Sequence, residues 1–108
     1  MKTTKIKTWE SKNEFKEGVY LYADRVKARI QQVAIRPMVH KWASCSTNGY
    51  FSFNVELLGM DRLLGEYVIL HELLHYSVPN HGKLWKTLMA TYMPDYKKRA
   101  EALRTSLV

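Results

Sequence analysis

Leu70-His71-Glu72-Leu73-Leu74-His75-Tyr76 is the stretch that decides how the chain is read. Leucines at 70, 73 and 74 ask for a buried helix, and between them stand two histidines and a glutamate. Residues four apart on a helix lie above one another, so His71 and His75 share a face. Two imidazoles at that spacing can hold one Zn²⁺, with Glu72 projecting beside them. A catalytic zinc needs a third protein ligand and an open position for water. His81, beyond Pro79-Asn80, is the candidate third ligand. Neutral imidazoles leave most of the charge on the metal, which can lower the pKa of bound water to about 7 and polarise a carbonyl. Glu72 is too close to His71 in sequence to be an ordinary ligand. It is well placed as a general base that passes a proton to a leaving amine.

Working outward, Met60, Leu63, Leu64, Tyr67, Leu70, Leu74 and Val78 recur at helical spacing, with His71 and His75 on the same stripe. Val68, Ile69 and Leu73 widen it, which predicts a helix buried on most sides. Two histidines bracketing a glutamate are costly to bury without a partner, and a metal supplies one. Pro79 should end this helix and Asn80 can cap the next. Leu84, Trp85, Leu88, Met89 and Tyr92 form the following apolar stripe, and Pro94-Asp95 opens a last basic helix to about residue 105.

Upstream, Asn48-Gly49 lies between Met38–Cys45 and Tyr50–Val55, two runs rich in aromatic and β-branched residues. That is a hairpin signal. Phe51, Phe53 and Val55 face one way and Tyr50, Ser52 and Asn54 the other. A strand edge beside a zinc site could dock an extended peptide, or the hairpin could simply cover the core. Further back, Ser11 and Glu14 resemble a capping box. Phe15, Val19, Tyr22, Val26, Ile30 and Val33 then predict an amphipathic helix over about 12–34, broken by Pro37. Residues 1–10 are expected to be weakly ordered. The expected architecture is α+β in a single domain over 1–108. It has a long N-terminal helix, a β-hairpin or small antiparallel sheet, the buried histidine helix and two further C-terminal helices.

The chain of 108 residues carries a formal net charge of +7 and a hydrophobic share of 46%, enough for a globular core and too much for a disordered chain. No apolar run is long enough to span a membrane, and residues 1–16 lack the apolar core of a secretory signal. A single cysteine, Cys45, excludes an internal disulfide and fits a reducing compartment, so a cytoplasmic location is expected. The basic charge fits a solvated surface. It also permits non-specific binding to nucleic acid, for which no recognised binding signature is present.

Two segments carry a family likeness. Arg36-Pro37-Met38-Val39-His40-Lys41-Trp42-Ala43-Ser44-Cys45-Ser46 is similar to R-x-M-x-x-R-W-G-S-C-S, and VILHELLHYSVPNHGKLWKTLMATYMPDY, ending at Tyr96, is similar to V-x-H-E-L-x-H-x-x-x-x-N-H-x-x-x-F-W followed by P-D-Y. With Phe51-Ser52-Phe53-Asn54 between them, the chain over about 36–100 resembles the YgjP-like metallohydrolases, relatives of the SprT-like and WLM-type zinc peptidases. The resemblance implies a zincin-like fold with one Zn²⁺ per chain, His71, His75 and His81 as ligands, and Glu72 as catalytic acid/base. Lys41, Ala43 and Leu84 stand where the family usually has Arg, Gly and Phe. Longer members carry a β-rich N-terminal region that residues 1–35 are too short to reproduce.

A zinc-dependent hydrolase acting on peptide or protein substrates is therefore the leading expectation. One alternative is a basic, zinc-stabilised binding module for nucleic acid or protein. Another is a SprT-like peptidase acting on DNA-bound proteins. Glu72 favours an enzyme, because a structural zinc site is closed by a fourth ligand and has no use for a base. Tyr96, Tyr67, His40 and Lys41 are the candidates for stabilising a transition-state oxyanion. Cys45, Trp42 and Trp85 read as packing residues, and Asn80 as a cap.

Overall fold

Ser11 and Glu14 start the first helix, α1 (Lys12–Val26). The Glu14 N–H donates to Ser11 Oγ at 3.1 Å, satisfying one of the donors that a helix start leaves open. The Glu14 carboxylate accepts from the Glu10 N–H at 2.8 Å and pairs with Arg62 at 3.1 Å. These contacts, the Glu10 amide first, hold its carboxyl below the usual carboxylate range. The computed structural model describes residues 7–78 and 82–105.

Packing begins before α1. Residues 1–6 lie outside the described residues, but the expectation of weak order does not fit 7–10. Trp9 is buried, its backbone N–H donates to Leu58 O at 3.2 Å, and the Arg62 backbone N–H donates to Lys7 O at 2.7 Å. The Trp9 ring sits in the space left by Gly18 and Gly65, with the Arg62 guanidinium 4.2 Å from its centre.

The first helix stops at Val26, short of the expected residue 34. Lys27 turns into the left-handed region at φ 62°, and the Ala28 N–H closes on Ala23 O at 2.9 Å. Gln32–Arg36 then forms strand β1. Val26, Ile30 and Val33 suit a helical period, but Val33 and Ile35 are buried while Gln32 and Arg36 are exposed, a period of two. The deciding influence is tertiary. β1 pairs in parallel with β3 (Tyr50–Asn54), setting Val33 opposite Phe51 and Ile35 opposite Phe53.

The hairpin forms as expected. β2 (Ala43–Cys45) runs antiparallel to β3, with Ser44 opposite Ser52. Gly49 supplies the positive φ of 86° that the turn needs. The sheet order is β1-β3-β2, so the hairpin gains a parallel strand and the sheet is mixed. The first hairpin strand is shorter than Met38–Cys45 because a side chain takes its carbonyls. Buried Asn54 donates through Nδ2 to Met38 O at 3.2 Å and Lys41 O at 3.0 Å, and accepts from the Glu56 N–H at 3.0 Å. Residues 37–42 are thereby held as a connection that passes the end of β3.

A 3₁₀ turn (Val55–Gly59) leads to α2 (Arg62–Ser77), whose cap Asp61 accepts from the Leu63 N–H at 3.0 Å. Two faces of α2 are buried. Ile69 and Leu73 belong to the core built with Phe15, Val19, Phe51 and Phe53. Leu70 and Leu74 join a second cluster with Trp85, Met89 and Met93, under α3 (Lys83–Tyr92). Leu84 is 59% exposed, off the apolar stripe expected of it. Pro79 and the Asn80 cap lie outside the described residues. The last helix, α4 (Tyr96–Thr105), follows Pro94-Asp95 as predicted. Arg99 ties it to α2, donating to Leu63 O and to Glu66 Oε1, each at 3.1 Å, while also holding Asp95.

Candidate metal centre and cleft

With two faces of α2 committed to packing, the remaining one carries His71, Glu72 and His75. All three are half-buried, rather than turned into the core. The two imidazole ring centres are 6.1 Å apart, and the Glu72 carboxylate comes within 3.7 Å of His71 Nδ1. Aromatic neighbours fix His71. The Trp85 ring meets it edge-on at 5.2 Å and the Tyr67 ring lies at 5.6 Å. Tyr96 stands behind Trp85 at 6.3 Å. Trp85 is thus a packing residue, as expected, and it also walls the candidate ligand.

The opposite wall of the cleft is strand β2. One compartment, about 410 Å³, lies between Glu72, His75 and Tyr76 on α2 and the segment from Ala43 to Thr47. A second, about 220 Å³, is lined by Trp42, Ala43, Val68, His71, Glu72 and Leu103. Glu72 and Ala43 border both, so the carboxylate stands at the junction. Cys45 and Glu72 border the larger compartment together, close enough for the carboxylate to act on the thiol. Burial first, then the charge and the hydrogen bond of Glu72, pushes the Cys45 thiol up to about 11.

The sequence candidates divide. His71, Glu72 and His75 come together. His81 lies outside the described residues, and among the described residues no three His, Cys, Asp or Glu side chains form a group able to hold a metal. His40 and Lys41 line a separate cavity at the β1–β2 connection and neither borders the cleft. Burial raises the Tyr67 phenol above its ordinary value, with the neighbouring Tyr96 adding to it. Ala43, Cys45 and Leu103 are site neighbours that sequence reasoning passed over. The only early signal was the Trp42-Ala43-Ser44-Cys45 block itself.

The donor chemistry fits a divalent metal of the zinc type. Two imidazoles share one helix face, a carboxylate stands beside them, and a cleft opens in front of them. The family profile described as YgjP-like, metallopeptidase domain, matches residues 2–106. The chain belongs to the YgjP-like family. Membership makes it a metallopeptidase-like domain, for which the metal implied is zinc and the substrates implied are peptides or proteins. Two solved structures share the fold of this YgjP-like chain. The metallopeptidase zymogen jannalysin of Methanocaldococcus jannaschii is 24% identical, with a TM-score of 0.77 over 87% of this chain and 97% of that one. The metallopeptidase zymogen abylysin of Pyrococcus abyssi is 19% identical, with a TM-score of 0.75 over 86% of this chain and 94% of that one. No curated protein sequence matches the chain. No helix among the described residues is long and apolar enough to cross a membrane.

Proposed function

We propose that this chain, as one domain, is a zinc-dependent peptidase in which Glu72 is the general base. His71, His75 and His81 would hold one zinc per chain. The observation that carries the reading is the placement of His71, Glu72 and His75 together on one wall of a cleft whose other wall is a strand edge. Zinc, when bound, supplies a Lewis acid that polarises the scissile carbonyl and lowers the pKa of water. Glu72 takes a proton from the attacking water as its oxygen bonds the carbonyl carbon. It returns that proton to the amine nitrogen as the carbon–nitrogen bond breaks.

The β2 edge supports a peptide substrate. The Asn54 N–H bonds Trp42 O and the Ser46 N–H bonds Tyr50 O. Hydrogen-bonded pairs alternate along an antiparallel ladder, so Ser44 turns its amide and carbonyl toward β3. Ala43 and Cys45 turn theirs outward, where an extended peptide can add as a further strand.

Glu72→Gln tests the mechanism, because it keeps the shape of the side chain and removes its basicity. On a substrate found by screening the zinc-loaded wild type, with chelation and re-addition as controls, turnover should fall roughly 10²–10⁴-fold while zinc content stays whole. Unchanged turnover would defeat the mechanism. His81→Ala should lose most of the zinc by metal analysis, and full occupancy in that variant would send the search for the third ligand elsewhere.

A further inference from the structure

Among the described residues one buried residue is of polar type, Asn54, which is 5% exposed. A buried amide is costly unless its hydrogen-bonding groups are met, and here they are. Its Nδ2 donates to Met38 O at 3.2 Å and to Lys41 O at 3.0 Å, and its Oδ1 accepts from the Glu56 N–H at 3.0 Å. Its backbone N–H donates to Trp42 O at 2.8 Å. All but the Glu56 bond end on residues 38–42, the connection that leads into β2.

That connection contains a strained residue. Among the described residues, Lys27 and His40 are the non-glycine positions with a positive φ. Lys27 ends α1, where the left-handed conformation is common. His40 ends no helix, and its φ of 64° is disfavoured for a residue with a Cβ. The Asn54 amide holds the carbonyl two residues before His40 and the carbonyl one residue after it, so a single side chain grips both sides of the turn. Local strain persists where the surroundings impose it, and it is concentrated at functional sites.

The gripped connection leads straight into the cleft wall. Trp42 packs against the main core and borders both the smaller compartment of the cleft and the cavity at the β1–β2 connection. β2 begins at the next residue, Ala43, whose outward amide and carbonyl start the free strand edge beside Glu72. The bond from the Asn54 N–H to Trp42 O carries the ladder one residue past the start of β2.

We propose, resting on the peptidase reading above, that Asn54 is a positioning residue for an extended peptide. It acts through residues 38–42. Its grip on two carbonyls fixes where β2 begins, and so fixes the Ala43 end of the edge on which a peptide is seated beside Glu72. Asn54 lines the cavity at the connection and neither compartment of the cleft, so it touches neither the peptide nor the reacting atoms.

The probe is acetyl-pentaalanine amide, titrated into the zinc-loaded Glu72→Gln protein, in which it stays intact. The protein carries 5-fluorotryptophan, and Trp42→Phe identifies the Trp42 signal. Adding Asn54→Ser should shift the Trp42 fluorine signal, leave that of Trp9 in place, and weaken binding of the probe about tenfold. If Asn54→Ser fails to fold, Asn54→Asp serves instead, because it keeps the size and the acceptor for Glu56 and loses both donors. His40→Gly on top of the Asn54 variant should recover part of the affinity, since glycine holds a left-handed turn without the grip. Leu73→Ala, which weakens the core alone, should leave the affinity as it is, and this separates positioning from a general loss of stability. Unchanged affinity in the Asn54 variant, an equal loss in Leu73→Ala, or a probe that does not bind the parent protein overturns the proposal. If Asn54 governs binding and the wild type cleaves no peptide, the positioning stands and the peptidase reading fails. If the wild type cleaves the probe and Asn54→Ser cleaves it with the same KM, the peptidase reading stands and the positioning fails.

Discussion

On one side of α2, Gly65, Ile69 and Leu73 are closed in by Trp9, Phe15 and the two sheet phenylalanines. On the side that faces β2, His71, Glu72 and His75 border a cleft. The two sides use the same helix and differ by a rotation of about 100° per residue. The closed side gains from every apolar contact and leaves no room for change. The open side gives up that burial and leaves two imidazoles and a carboxylate facing a cleft. Functional groups can be held accurately on the open side because the closed side is rigid. It follows that substitutions on the closed side should act on stability alone, and those on the open side on metal, substrate or rate alone.

Adjacent residues give the sharpest contrast. Leu73 is fully buried, and Leu73→Ala should lower the unfolding free energy by about 2–5 kcal/mol. Denaturant titration measures that loss. Turnover per folded molecule should stay near wild type, whereas Glu72→Gln one position away should do the opposite. A Leu73→Ala protein that folds well but turns over as poorly as Glu72→Gln would break the division between the two sides.

Gly65→Ala is a finer probe of the closed side. Alanine improves helix propensity over glycine by about 1 kcal/mol. A Cβ at position 65 would lie 2.5 Å from Trp9 Nε1 and 3.2 Å from Phe15. Trp9 is itself buried, so its ring has little freedom to withdraw. The expected net result is destabilisation of about 1–3 kcal/mol. A gain in stability would mean that Trp9 is not locked between Gly18 and Gly65.

How much of this was legible beforehand follows the range over which each signal acts. The α2 helix, with His71, Glu72 and His75 together on one of its faces, was legible because helical period is local. The hairpin was legible because Asn48-Gly49 dictates a turn within its own four residues. β1 was not, because Val33 and Ile35 become a strand only through pairing with Phe51 and Phe53, far along the chain. Trp9 was missed for a related reason. Its partners are the gaps at Gly18 and Gly65, and a glycine in a helix reads first as a weakness. In the cleft, the α2 wall and the presence of a strand edge beside it could be read, but the register of β2 could not. Which backbone groups of Ala43 and Cys45 point outward depends on the β2–β3 register, and Leu103 arrives from the far end of the chain.

The smallest expected effect asks whether the two walls of the cleft touch as described. In the metal-free protein the Cys45 thiol, pushed up to about 11, should be alkylated by iodoacetamide at pH 8 on the order of a hundredfold more slowly than a free thiol of pKa about 8.5. The sign for stability follows. The folded pKa exceeds the unfolded one, so the thiol's contribution is whole below about 8.5 and is lost as pH rises through about 11. Stability should therefore fall with pH across that window and be flat, as far as Cys45 is concerned, below it. Burial is the largest cause of the shift, and the Glu72 charge and hydrogen bond come next. Glu72→Gln removes the charge and leaves the burial. Alkylation should then speed up severalfold without reaching the rate of a free thiol. A rate that does not respond to Glu72→Gln would show that Cys45 and Glu72 are not in contact, which would separate β2 from α2 at the point where the cleft is narrowest in chemistry. A rate equal to that of a free thiol in both proteins would go further and place Cys45 in open solvent.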